Sequence, residues 1–128
     1  MNMELYIGGC AQGKLNYVLK QTGIGRDKVI DAAEISENEM EEVRVINHFH
    51  MLIRSLLRQG KDPEDLIKAI TAKNRELIII SDEVGNGIVP MEAEEREYRE
   101  RLGRILCGLA EEAVKVERII CGIGQRIK

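Results

Sequence analysis

The chain has 128 residues, 44% of them hydrophobic and 32% charged, with a formal net charge of −3 and a pI near 5.5. That length suits one domain spanning 1–128 with a real core. The acidic balance, 3% aromatic content and absence of Trp argue against nucleic-acid binding and favour a small phosphorylated ligand. Cys10, Cys107 and Cys121 are odd in number and lack C-x-x-C spacing, so neither a disulfide framework nor a zinc site is indicated. No apolar run approaches the ~18 residues of a membrane span, and the N-terminus lacks a signal-peptide pattern; a cytoplasmic location is expected.

In chain order, apolar Leu5 to Ile7 reads as a strand, and Lys14 to Gln21, with Leu15, Val18 and Leu19 at helical spacing, reads as a helix. Between them Gly8, Gly9, Cys10, Ala11, Gln12, Gly13 and Lys14 fit the phosphate-binding template G-x-x-x-x-G-K-[ST] at every position but the last, which is Leu15. In that template backbone N–H groups wrap the phosphates, the lysine reaches the terminal ones, and the Ser/Thr hydroxyl binds Mg²⁺. The chain thus keeps the cradle and lacks one metal ligand.

Gly23 and Gly25 end the first helix, and Lys28 to Ala33 is β-prone enough for a second strand. Ser36 or Asn38 then caps a long helix whose buried stripe is Val45, Ile46, Phe49, Leu52, Ile53 and Leu56, ending near Gln59 and Gly60. Asp62-Pro63 is a restart, with Asp62 as cap and Pro63 at the first helical position. Glu76 to Ser81 lacks period-two alternation, as a strand covered on both faces should, and ends in Asp82 and Glu83. A glycine-rich loop to Pro90 leads into a helix with stripe Tyr98, Leu102, Ile105, Leu106, Leu109 and Ala113. Its four Glu-to-Arg pairs at spacing four, from Glu92/Arg96 to Glu100/Arg104, read mainly as a solvated face, with Arg96 and Arg99 as further candidate phosphate contacts. Val116 to Cys121 is the last strand, closed by Gly122-Ile123-Gly124.

This alternation predicts an α/β fold, a small and mostly parallel sheet flanked by helices, whose ligand site lies at the carboxyl ends of the strands. The loop from Gly8 to Lys14 and the acidic turn at Asp82-Glu83 meet there, and either acid is a candidate Mg²⁺ ligand. His48 and His50 form an H-x-H pair. On a helix, residues two apart point to opposite flanks, so the two are not expected to share one ion. Each is then a candidate by itself, His48 ahead of His50, against the plainer reading of a surface or satisfied core histidine. Asn47 is an equal neighbour.

Gly8 to Lys14, the Glu83-Val84-Gly85-Asn86-Gly87-Ile88-Val89-Pro90 block, Arg96, Tyr98-Arg99, Gly103-Arg104 and the tail from Gly122 to Lys128 resemble the adenosylcobinamide kinase/adenosylcobinamide-phosphate guanylyltransferase family of cobalamin biosynthesis. The resemblance covers the first turn and the C-terminal third; the middle, Met40 to Glu76, matches poorly and is shorter. It implies a P-loop nucleotide-binding fold and a nucleoside triphosphate, ATP or GTP, with Mg²⁺. It implies phosphorylation of adenosylcobinamide, then GMP transfer through a guanylylated histidine, and a homo-oligomer. That histidine follows a D-E-M-like turn; Glu39-Met40 resembles the turn, with His48 slightly out of register. Leu15 departs from the family's hydroxyl, and Leu106-Cys107 replace an Asn-Gln pair. Lys14 and His48 are accordingly the candidate catalytic residues. The competing expectation is a nucleotide- or corrinoid-binding protein that retains the fold without turnover.

Overall fold

The computed structural model describes residues 2–32, 43–83 and 92–128. Strand β1 (Glu4–Gly8) is followed by α1 (Lys14–Thr22), a short 3₁₀ turn at Arg26–Lys28 and β2 (Val29–Asp31). Then come β3 (Val45–Asn47), α2 (Phe49–Arg58), α3 (Pro63–Lys73), β4 (Ile78–Asp82), α4 (Ala93–Glu112), β5 (Lys115–Ile120) and β6 (Ile123–Arg126). Among the described residues one sheet holds six strands in the order β2-β3-β4-β1-β5-β6; the first five run parallel and β6 antiparallel. This is the mostly parallel, helix-flanked α/β fold that the alternation predicts.

Both faces of the sheet are covered. Val18 of α1, with Leu15 and Tyr17 beside it, packs on Tyr6, Ile78, Ile80 and Ile119. Leu5, Ile46 and Ile79 face the opposite way, onto Phe49, Ile53, Ile67, Tyr98 and Leu102 of the other three helices. Because β4 lies between β3 and β1, Ile78, Ile79, Ile80 and Ser81 are all buried, which is why that segment shows no alternation. The α4 stripe Tyr98, Leu102, Ile105 and Leu109 is buried as expected, with Leu106 at its margin.

Two expectations are corrected. Val45 and Ile46 are not part of a long helix: they belong to β3, and α2 starts at Phe49. Their spacing continues the apolar stripe of α2, but a β-branched pair in an inner strand must be buried on both faces, so periodicity alone does not separate the two readings. The cap assigned to Ser36 or Asn38, with the acidic run after it, lies outside the described residues, as does the Val84 to Pro90 part of the glycine-rich block. At the other end, Val116 to Cys121 is not the last strand. Cys121 and Gly122, at φ 50° and 74°, form a two-residue turn of the type that matches strand twist, and the chain returns as β6.

Of the local signals, Asp62 caps α3 by accepting from the Glu64 N–H at 3.0 Å, with Pro63 at the start of the helix. Two of the expected pairs on α4 form, Glu95–Arg99 at 4.0 Å and Glu100–Arg104 at 2.6 Å. Arg101 instead reaches across to α3, 2.8 Å from Glu64 and 3.3 Å from Asp62.

Candidate functional site

Adjacent strands β1 and β4 lead into helices on opposite faces, α1 on one and α4 on the other, and such a divergence leaves a crevice beyond their carboxyl ends. Gly8 stands opposite Asp82 in register there, and the Glu83 N–H donates to the Gly8 carbonyl at 2.8 Å. From this point the loop turns into α1 through Ala11 at φ 58° and Gly13 at φ 79°. Gly13 has no side chain to cap the helix, so the first N–H groups of α1 receive no side-chain cap from it.

The resulting cleft, about 330 Å³, is lined by Cys10 to Asn16 on the loop and α1, by Asn47 and His48, and by Ile80 and Asp82. Of the residues predicted for the site, Gly13, Lys14, Leu15, His48 and Asp82 therefore meet in one space, with Cys10, Ala11 and Gln12. Gly8 and Gly9 form the base of the loop, where a Cβ on Gly8 would come 2.5 Å from the Ile119 carbonyl oxygen. Glu83 is directed elsewhere, 3.2 Å from the Arg118 guanidinium.

Lys14 is only 8% exposed, and its ammonium is held between two oxygens: Asp82 Oδ1 at 2.7 Å and the Gly9 carbonyl at 2.7 Å. A buried cation needs this pairing, since its desolvation is otherwise uncompensated. Asp82 has a second neighbour, His50, whose Nδ1 accepts from the Asp82 backbone N–H at 3.1 Å and whose Nε2 lies 3.4 Å from Oδ2. Burial pushes the His50 imidazole below its usual pKa; Asp82 opposes this, and His48, Lys14 and Arg54 add to it.

The two histidines do not sit on one helical stretch as expected. His48 precedes α2 in the left-handed conformation, φ 56°, and His50 is the second residue of the helix. Their rings meet edge-on with centroids 5.8 Å apart, yet each has its own carboxylate, Asp31 Oδ2 lying 3.1 Å from His48 Nδ1. Asp31 and Asn47 are paired in register at the ends of β2 and β3, which puts both on the edge that carries the cleft.

Sequence reading missed Asp31 and undervalued His50, because placing Asn47-His48 at a strand end requires β3. It also missed the link between the loop and the β5–β6 turn. Gln12 Oε1 accepts from the Cys121 N–H at 2.6 Å, and the Gly122 N–H donates to the Gln12 carbonyl at 2.8 Å. The β5–β6 turn thus braces the glycine-rich loop from the strand next to β1.

The residues present fit a divalent cation in one respect. Mg²⁺ is commonly held by one or two carboxylates together with phosphate oxygens and water, and Asp82 presents a carboxylate in the cleft. Leu15 contributes no oxygen, and among the described residues no group of three or more His, Cys, Asp or Glu is placed to hold a metal.

No helix among the described residues is long and apolar enough to cross a membrane. Comparison with curated proteins yields no match. Comparison with protein families yields cobinamide kinase / cobinamide phosphate guanyltransferase, matching residues 24–127. The match begins after the glycine-rich loop, so the family rests on the remainder of the chain. With the greater part of its length matched, the chain belongs to the cobinamide kinase/cobinamide phosphate guanyltransferase family.

Proposed function

We propose that the protein transfers the γ-phosphoryl group of ATP or GTP to the aminopropanol hydroxyl of adenosylcobinamide. The observation that carries this reading is the Lys14–Asp82 pair, 2.7 Å apart inside a glycine-rich loop and helix N-terminus. In phosphoryl transfer the protein acts chiefly by positioning and by neutralising charge. Loop N–H groups from Gly9 to Lys14 wrap the phosphates. Lys14 leaves Asp82 and the Gly9 carbonyl for the more highly charged terminal phosphates. The acceptor oxygen bonds to the γ-phosphorus as the bridging bond to the nucleoside diphosphate breaks, and the hydroxyl proton passes to solvent. Asp82 is the residue that would hold Mg²⁺, with Glu83 a less direct candidate because Arg118 engages it. When bound, Mg²⁺ would neutralise phosphate charge during the transfer.

The family also implies guanylyl transfer, and His48 is the residue we assign to it. Asp31 takes its Nδ1, so Nε2 is the nitrogen for a bond to the α-phosphorus of GTP, with pyrophosphate leaving. Acid-labile GMP on the protein that disappears in His48→Ala supports this step; label that persists in that variant refutes it.

A second reading, nucleotide or corrinoid binding without turnover, is favoured by Leu15. Incubation with adenosylcobinamide, Mg²⁺ and γ-labelled ATP or GTP separates the two. Labelled corrinoid establishes the kinase; tight nucleotide binding without product establishes the binder.

A further inference from the structure

Leu15 removes from the cleft the hydroxyl that the phosphate-loop template places beside its metal. Leu15 and Asp82 line the same space, and behind Asp82, on the side away from Lys14, lies the His50 ring. The contact is two-point. Nδ1 accepts from the Asp82 backbone N–H at 3.1 Å, and in a neutral imidazole an accepting Nδ1 leaves the proton on Nε2. Nε2 itself lies 3.4 Å from Oδ2, while Oδ1 faces Lys14.

The ring is itself held. His50 is 8% exposed at the start of α2, and its carbonyl accepts from the Tyr98 hydroxyl at 3.1 Å. The Arg54 guanidinium lies over the Tyr98 ring at 4.2 Å from its centroid and is tied to Glu95 at 3.0 Å. A chain of fixed groups therefore runs from α4 through Tyr98 and α2 to the backbone of Asp82.

We propose that His50 is a positioning residue for Asp82, holding that carboxylate toward the cleft in a chain that has no hydroxyl ligand at position 15. When Lys14 moves to phosphate, His50 keeps the Asp82 backbone fixed and flanks Oδ2, so that Oδ1 stays directed into the cleft for a divalent cation. The proposal rests on reading the cleft as a Mg²⁺–nucleotide site. His50 does not touch the reacting atoms and acts only through Asp82.

The test measures ATP and GTP affinity by calorimetry in EDTA and across a Mg²⁺ series. In His50→Leu the Mg²⁺ needed for half-maximal tightening rises roughly ten- to a hundredfold, the usual effect of losing an outer partner of a metal ligand. Affinity in EDTA stays within about twofold, since the loop and Lys14 are untouched. His50→Asn, whose amide oxygen accepts from the Asp82 N–H, recovers part of the loss, and Leu15→Ser added to His50→Leu recovers it as well.

Equal losses with and without Mg²⁺ assign His50 a purely structural role and overturn the proposal, as does an unchanged Mg²⁺ dependence. A wild-type protein whose nucleotide affinity ignores Mg²⁺ overturns it too. Nitrogen NMR of the ligand-free protein is the arm that needs neither a folded variant nor a nucleotide. The Nε2–H form of His50 is expected, and an Nδ1–H form removes the geometric basis even where nucleotide binding holds. Failure of nucleotide binding with the Nε2–H form in place instead counts against the proposed function, and with it against the metal role of Asp82.

Discussion

Lys14 and Asp82 face each other at 2.7 Å across the carboxyl ends of β1 and β4, so the residue that would meet a terminal phosphate already has an anionic partner. A phosphate must displace that carboxylate, and the gain on doing so is set by charge-assisted hydrogen bonds. Such bonds contribute about 1.5–3 kcal/mol each, so Lys14→Ala is expected to weaken ATP or GTP binding by roughly one to two orders of magnitude. Titration of purified variant with nucleotide measures this, and unchanged affinity refutes the cradle.

Gln12 joins the loop to the β5–β6 turn through its side chain as well as its backbone. Gln12→Ala removes the side-chain bond to the Cys121 N–H and leaves the backbone bond from Gly122. The net loss, about 1 kcal/mol for one hydrogen bond, is expected to appear as roughly fivefold weaker nucleotide binding, with a melting temperature close to wild type. Equal affinities in parallel titrations mean that the brace does not shape the loop.

Two glycines are expected to respond in opposite directions to alanine. At Gly8 the new Cβ would lie 2.5 Å from the Ile119 carbonyl oxygen, a backbone atom that β1–β5 pairing holds in place. Overpacking of this kind costs about 1–3 kcal/mol. At Gly108, inside α4, nothing lies within 4 Å of the new Cβ. Gly108→Ala should stabilise by about 0.5–1 kcal/mol through backbone entropy and helix propensity. Denaturant midpoints of the two variants, measured side by side, check both signs.

Alkaline pH is expected to destabilise the fold through buried tyrosines. Burial raises the Tyr98 phenol above its ordinary value of 10.0, with Arg54 opposing; burial, with Glu4 next, raises Tyr6 further. Above that value the unfolded chain loses the phenolic proton while the folded chain keeps it. Stability is therefore complete below about pH 10 and falls as pH rises, by up to about 1.4 kcal/mol per pH unit for each group. Urea midpoints between pH 9 and 12 should fall less steeply in Tyr98→Phe than in wild type; identical slopes would remove Tyr98 from this account.

Much of the architecture was written in local signals. Asp62-Pro63 started a helix because a cap and a fixed φ act within one turn, and β4 was visible because a strand covered on both faces has no polar positions. Val45-Ile46 was not separable from the helix after it. Three residues have too little length to show a period, and only pairing with β2 and β4 makes them a strand.

The site divides in the same way. By itself the sequence determined the glycine-rich loop with its leucine, the acid at the end of β4 and the family resemblance, because each depends on residues close together in the chain. Tertiary structure alone decided that Lys14 meets Asp82 rather than Glu83, that Gln12 grips the β5–β6 turn, that His48 pairs with Asp31 and that His50 holds Asp82. Those contacts join strand ends brought to one edge by the order β2-β3-β4-β1-β5-β6, and strand order is set by burial summed over the whole sheet rather than by any local run of residues.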